Sequence, residues 1–291
     1  VSQLFQRRVN LIIAPPEPAN FVQTVTPAVS ITGLRVQFHI TKTITKEPNV
    51  AEISVSNLNK DSRAKYQDRS SKIVVLAGYE GTLAQIFSGE ARTIDHEHQG
   101  PTWVTKIQCG DGERAYRFAY VNANFGPGTA VPEALKPVLS SLKGLGIDVS
   151  GALQKAAGIA SFLTNGYAAQ GQAVKELDSL LQGTGYAWSI QDGVLNFLLP
   201  GQALANAVVL LTPTTGLVGS PEHGSPDKKF GSVLKVKSLL QPEIRPGGTV
   251  QIKNTQSADG TYFVEKVVHT GDTHGGDWYS EFECRNTGVK N

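Results

Sequence analysis

Methionine does not occur in these 291 residues, and cysteine occurs only as Cys109 and Cys284. The missing methionine says nothing about activity; it implies that the initiator was removed before Val1. Each cysteine closes an alternating strand pattern in a different half of the chain, which points away from a disulfide and toward two small buried hydrophobes. A dominant charge is missing too. The 27 basic and 25 acidic residues leave a formal charge of +2, so no global basic field holds phosphates by counterion release, and tight DNA binding is disfavoured. Long apolar runs are also lacking: Leu11 to Ala14 and Ala207 to Leu211 fall far short of the roughly 20 residues that cross a bilayer. The opening Val1-Ser-Gln-Leu-Phe-Gln-Arg-Arg8 does not form a signal peptide. A soluble protein made in the cytoplasm, without a membrane segment, is expected.

Catalytic signatures are equally scarce. No His-Glu-x-x-His helix and no Gly-x-Ser-x-Gly elbow occurs. The stretch Gly166-Tyr-Ala-Ala-Gln-Gly171 lacks the preceding strand and the following Lys-Ser/Thr of a phosphate loop. Glu80, Glu90, Asp111 and Glu113 sit beside glycines in turns, and no pair has a spacing that marks a glycosidase dyad. The expectation is no catalytic residue and no cofactor.

What is present is strand pattern punctuated by 30 glycines and 15 prolines. At about 100 to 200 residues per domain, two or three domains fit. Short strands run from Gly33 to Gln108: Leu34 to Ile40, Ala51 to Ser56, Lys72 to Leu76, Leu83 to Phe87 and Trp103 to Gln108. Such spacing suits a sandwich or barrel. In the first, Leu34, Val36, Phe38 and Ile40 share one face, while Arg35, Gln37, His39 and Thr41 share the other, which can meet a partner or a lumen.

From Asn122 to Pro200 the texture changes. Val131, Leu135, Val138, Leu139 and Leu142 fall at helical spacing, as do Val174, Leu177, Leu180 and Leu181 before Gly183. A hairpin follows, Tyr186 to Ile190 and Val194 to Leu198, about Gln191-Asp-Gly193. Strands then return with Val208 to Leu211, Phe230 to Lys237, Gly248 to Lys253, Thr261 to Val268 and Trp278 to Cys284. Asp259-Gly260 suits a tight type I′ turn. The boundaries are set at 1–121, 122–200 and 201–291, a β, α+β, β plan. No short-period repeat is visible, but two β units flanking an insert is what a decayed duplication leaves.

Two clusters carry metal-competent side chains. In Asp95-His-Glu-His98, His96 and His98 share a strand face, yet a zinc site needs three or four ligands. Beside the Gln99-Gly-Pro101 turn the segment reads as a charged, solvated hairpin loop. His269, Asp272, His274 and Asp277 form the second cluster, read as a loop whose Asp and Gly serve turn geometry. Trp103, Trp188 and Trp278 lie within alternating strands and read as core rather than ligand platforms.

Four stretches, taken in order, carry a family resemblance. They are Gly33 to Ile40 with Lys42, Pro48-Asn49 and Ile53 to Leu58; Ala77-Gly-Tyr79 with Ile86 to Gly89 and Cys109 to Gly112; Leu211 to Pro221; and Leu240 to Gly247 with Gly260 to Tyr262, Val268 to Asp272 and Trp278. Together they resemble the late control protein D-like baseplate hub proteins of contractile-tailed bacteriophages, which share their fold with the hub part of type VI secretion spikes. The resemblance implies two tube-type antiparallel β-barrel domains flanking a smaller α+β insert, and a homotrimer with pseudo-sixfold symmetry. That ring joins the tail tube protein to the central spike protein, contacts other baseplate subunits, and lets DNA and the tape-measure protein pass without specific binding. It places the protein in the virion tail baseplate, assembled in the host cytoplasm. Arg35, Gln37, His39, Gln251 and Lys253 are then the candidates for partner interface or lumen.

No lysozyme-like or peptidase-like extension accompanies the hub-like portion. Two other classes stay open: a cell-envelope hydrolase using Asp95 to His98 or His269 to Asp277, and a carbohydrate-binding module using Trp103, Trp188 or Trp278.

Overall fold

The computed structural model describes residues 6–15, 28–65, 71–199, 202–204, 208–224, 233–255 and 258–286. The chain forms two compact units, one of Val1–Ile44, Asn49–Gly110 and Ala203–Asn291, the other of Thr45–Pro48 and Asp111–Gln202. The first and last thirds of the sequence therefore share one unit.

That unit opens with β1 (Arg7–Ala14), β2 (Val29–Ile31), β3 (Val36–Thr43), β4 (Val50–Ser56), the short helix α1 (Lys60–Lys65), β5 (Lys72–Tyr79), β6 (Ala84–Gln99) and β7 (Thr102–Gly110). The second unit follows with α2 (Glu113–Phe118), β8 (Tyr120–Phe125), α3 (Val131–Lys143), α4 (Ser150–Ala156), β9 (Tyr167–Gln172), α5 (Ala173–Leu181), β10 (Ala187–Gln191) and β11 (Val194–Leu198). The chain then returns through β12 (Val209–Leu211), β13 (Leu217–His223), β14 (Val233–Leu239), β15 (Thr249–Ile252), β16 (Gly260–Asp272) and β17 (Trp278–Asn286).

The protein is mainly β. The first unit is one 13-stranded sheet with the path β13-β14-β17-β16-β3-β4-β7-β6-β5-β1-β2, from which β15 branches off β16 and carries β12. All pairs are antiparallel except β12 with β15. The path has two ends, and among the described residues no pairing closes it into a barrel.

Strand alternation sorts the faces as the sequence pattern demands. In β3, Val36, Phe38 and Ile40 are buried while Gln37 and His39 are exposed. One face holds two apolar clusters, the first around Leu11, Phe38, Ile53, Phe87 and Trp278, the second around Leu211, Val236, Ile252, Val264 and Phe282. Each fully buried side chain of this size contributes about 1.5–3 kcal/mol. Buried polar groups lie on the same face: Lys42 stands opposite Val267, and His269, Ser280 and Ser238 form one cross-strand row.

The second unit is built on its own core, which includes Leu135, Leu139, Leu177, Trp188 and Phe197. The expected helices appear as α3 and α5, and the expected hairpin as β10 and β11. Its turn has positive φ at both Asp192 (55°) and Gly193 (82°), which fits the type I′ geometry an Asp-Gly pair favours. The buried Asp111 carboxylate accepts hydrogen bonds from both turn amides.

Three expectations are corrected. Asp95 to His98 is not a loop; it lies in β6, paired residue by residue with β7, and the turn comes at Gly100. His269 to Asp272 is not a loop either, because β16 continues through it with a partner on each side and the turn follows at Thr273. Asp259-Gly260 is not a type I′ tip: neither residue has positive φ, and Gly260 already pairs with Ile252. Asp259 instead accepts hydrogen bonds from the Asn254 and Thr255 amides across a longer loop. The expected strand from Phe230 is present from Val233 onward, and its first three residues lie outside those described.

Candidate interaction face and its edges

The sheet contains the same arrangement twice. β3-β4-β7-β6-β5-β1 and β13-β14-β17-β16-β15-β12 have one strand order, differing only in the direction of the last strand. Both long strands carry a bulge at an equivalent point. β6 shifts register between Ala91 and Thr93, opposite Cys109, and β16 between Val264 and Lys266, opposite Cys284. Aligning the bulges makes Cys109 equivalent to Cys284, Trp103 to Trp278 and His96 to His269.

The hydrogen bonds agree with that alignment. His96 Nδ1 lies 2.9 Å from Thr105 Oγ1, and His269 Nδ1 lies 2.9 Å from Ser280 Oγ. The Trp103 carbonyl accepts from the Asn57 amide at 2.7 Å, and the Trp278 carbonyl from the Leu240 amide at 3.1 Å. The Ala91 amide donates to the Ser71 carbonyl at 2.9 Å, and the Val264 amide to the Gly248 carbonyl at 3.0 Å.

Opposite the cores the sheet presents a polar face that crosses both repeats. One row of paired residues runs Tyr279, Thr270, His39, Glu52, Gln108 and Thr93. Others run Lys237, Glu281, Val268 and Thr41, or Glu222, Lys235, Glu283 and Lys266. Cations on this face pair with anions: Lys237 meets Glu281 at 2.7 Å, Lys106 meets Glu97 at 2.6 Å, and Arg35 meets Asp272 at 2.7 Å. Hydrogen bonds from Lys106 and then Gln99 hold the Glu97 carboxyl below its usual pKa. Curvature leaves a groove of about 540 Å³ over β13, β14, β17 and β16.

The repeats join where β16 pairs with β3, from Lys266 opposite Thr43 to Asp272 opposite Gln37. Asp272 locks this junction. Its carboxylate accepts from Arg35 Nη2 at 2.7 Å, Gln37 Nε2 at 3.1 Å and the His274 amide at 2.9 Å, and its carbonyl accepts from Arg7 at 3.2 Å. Burial pushes the Asp272 carboxyl up, but Arg35, the His274 amide and Gln37 outweigh it and hold the group below the usual carboxylate value.

Two matching edges are left over. Among the described residues, 93–99 of β6 pair only with β7, whereas the equivalent 266–272 of β16 pair with β17 on one side and β3 on the other. Among the described residues β13, the counterpart of β3, likewise pairs only with β14.

The expected site residues fall in different places. Arg35, Gln37 and His39 stand together at the junction, with His39 Nδ1 3.2 Å from Thr270 Oγ1. Gln251, on β15, and Lys253, just past it, belong to the branch off the main path and do not join them. His96 and His269 are engaged by hydroxyls, His98 lies on the Trp103 ring at 3.7 Å, and His274 stays in the exposed turn beside Thr273. Among the described residues no three His, Cys, Asp or Glu side chains are placed to hold one metal ion. Trp188 and Trp278 are buried and Trp103 half-buried. Both cysteines are free and buried, as expected. No described helix is long and apolar enough to cross a membrane.

No protein-family model matches the sequence, and no curated protein matches it. Solved structures do. The prophage MuSo2 43 kDa tail protein from Shewanella oneidensis superposes with a TM-score of 0.63 at 9% identity, over 97% of each chain. The tail protein from Neisseria meningitidis MC58 gives 0.63 at 10%, over 98% of each chain. The fold is that of phage tail proteins. It extends to the E. coli c3393 protein, described as a type VI secretion component similar to T4 bacteriophage tail proteins gp27 and gp5, with a TM-score of 0.60 at 10% identity over 87% of this chain and 73% of that one.

Within the tail-protein fold, the clamp role of Asp272 was not legible in the sequence, whereas the duplication suggested by the β, α+β, β plan is matched here strand by strand. A signal for the repeat was present. Trp103-Val-Thr-Lys-Ile-Gln-Cys109 and Trp278-Tyr-Ser-Glu-Phe-Glu-Cys284 share a Trp, a hydroxyl residue and a Cys at identical spacing.

Proposed function

We propose that this chain is a non-enzymatic structural hub of a phage tail baseplate, a homotrimer whose pseudo-sixfold ring joins the hexameric tail tube to the trimeric central spike. The observation that carries the reading is the junction between the repeats: β16 pairs with β3, and among the described residues the equivalent edges of β6 and β13 are left open. A heterologous contact that repeats the internal junction between copies propagates the sheet, and a closing rotation turns it into a ring. Two repeats per chain give six similar sectors from three copies, which matches a sixfold tube.

In this reading 1–121 and 201–291 are the two tube-type halves, completed as barrels only in the assembly, and 122–200 is the insert. The long insert after Gly110 occurs in only one of the two repeats, so it contributes threefold features and serves the spike and other baseplate subunits. The β6–β7 and β16–β17 turns occur one in each repeat and serve the tube. The polar face lines the channel. Its paired charges give DNA and tape-measure protein no cationic track to grip, in a virion tail of the contractile kind.

Solution mass by light scattering, for the chain alone and co-expressed with its genomic neighbours, followed by negative-stain imaging, tests the proposal. The expected species is a trimeric ring with a central channel. A monomer under both conditions removes the mechanism.

A further inference from the structure

The two repeats differ at the place where a neighbouring strand must dock. In the second repeat Trp278 packs edge-on against Phe38 of β3, centroids 5.5 Å apart, with Arg7 over its ring at 5.5 Å. Gly271 makes room: a Cβ there would lie 2.3 Å from the Phe38 ring and 2.8 Å from Trp278. The first repeat fills the same slot from within. His98, the counterpart of Gly271, lays its ring on Trp103 at 3.7 Å, and the Arg63 guanidinium covers Trp103 at 3.9 Å.

The strand that would dock there differs in the complementary sense. Register through β14 makes Glu222 the counterpart of His39 and Val218 that of Gln37, which leaves Gly219-Ser220-Pro221 where β3 has Phe38. The bulge turns at Gly219, φ 69°, and its Gly219 and Ser220 are exposed. It offers no aromatic ring to a slot that already holds one.

Resting on the ring assembly proposed above, we infer that Trp103, His98 and Arg63 form the seat for the Gly219–Pro221 bulge of a second copy of this chain. The seat also sets the order of repeats. Phe38 of β3 needs the space that Gly271 leaves, and His98 already fills that space in the first repeat, which disfavours pairing of a first repeat with another first repeat. Around the ring the repeats then alternate.

The internal pair Asp272 and Gln37 has Gln99 and Val218 as its counterparts across the proposed contact. A Gln99→Cys, Val218→Cys chain treated with a short bis-maleimide is expected to give covalently linked dimers and trimers on a denaturing gel, and each single-cysteine chain none. His98→Ala, at an exposed position, and Ser220→Arg, on the bulge, are expected to weaken trimer association at least tenfold while the circular-dichroism melt of the monomer is kept. A trimer that forms without these cross-links, or one whose dissociation midpoint ignores both substitutions, overturns the seat and leaves the hub reading standing. Absence of any trimer, alone or with the neighbouring gene products, takes down the hub reading itself.

Discussion

His269 and Ser280 face each other across β16 and β17 with Nδ1 and Oγ 2.9 Å apart, wholly inside the sheet. Burial first, then the charges of Lys42 and Arg245, push the His269 pKa down to about 3, so the imidazole is neutral in the folded protein. The unfolded chain takes up this proton near pH 6.5. Stability is therefore unaffected by this group above about pH 6.5 and falls as pH drops from there toward about 3, with a slope of up to about 1.36 kcal/mol per pH unit. Urea midpoints between pH 7 and pH 4 should fall more steeply for the wild type than for His269→Gln. Parallel curves would show that His269 does not carry the acid sensitivity.

Asp272 gives a second, separable test. Asp272→Ala strands Arg35, the Gln37 amide and the His274 amide at the repeat junction. These partners are exposed and water can replace the lost acceptor, so the cost is the net worth of the hydrogen bonds, about 0.5–1.5 kcal/mol, read as a lower denaturant midpoint with an unchanged m-value. The carboxylate's pKa is held down in the folded state, so its contribution is present above its ordinary pKa and is lost as pH falls through the lowered one. The wild type and Asp272→Asn should therefore converge at strongly acid pH.

Gly271 separates steric from conformational demand, since its requirement for glycine comes from packing against Phe38 and Trp278. Gly271→Ala is expected to lower stability by about 1–3 kcal/mol through overpacking. Phe38→Leu in the same background should recover part of that loss by vacating the space. Melting temperatures of the two single variants and the double variant decide it, and strict additivity would contradict the contact.

Local pattern made much of this architecture legible. Strict alternation in β3, helical spacing in α3 and α5, and the Asp192-Gly193 turn are written in neighbouring residues, and the structure follows them. What failed were features decided by distant partners. Asp95 to His98 looks like a solvated loop because, among the described residues, this part of β6 borders only β7, so charged side chains persist there. His269 to Asp272 looks like a turn until β3 and β17 are known to flank it. The duplication could be read only as a β, α+β, β plan and not residue by residue, because the paired Trp, His and Cys positions persist while apolar residues exchange freely, Ile107 for Phe282 or Ala91 for Val264. The grouping of Arg35, Gln37 and His39 could be read from alternation, but their partner Asp272 lies 237 residues from Arg35 and could not.

The buried cysteines make a further prediction. Desolvation raises the Cys284 thiol to about 12, and Cys109 is raised in the same way. Thiolate is the reactive form, so neither should react with a thiol reagent at pH 8 in the folded protein, and both should react on unfolding in denaturant. Fast labelling of the native chain would place one of them at the surface.

The polar face provides the last test. Glu222, Glu281 and Glu283 alternate with Lys235, Lys237 and Lys266 on the second repeat, which cancels the field a polyanion would feel. The wild type should show no measurable DNA binding near physiological salt. Glu222→Lys, Glu281→Lys and Glu283→Lys together turn that ladder into a cationic track. Each phosphate it neutralises releases counterions and steepens the fall of log K with log salt by about 0.9. Fluorescence anisotropy on a duplex should therefore detect binding by the triple variant that weakens steeply as salt rises. If the face lines a closed channel, that binding in the assembled trimer should require a free DNA end, and a circular duplex should bind only the monomer. Equal binding of linear and circular DNA to the trimer would put the face on the outside of the ring.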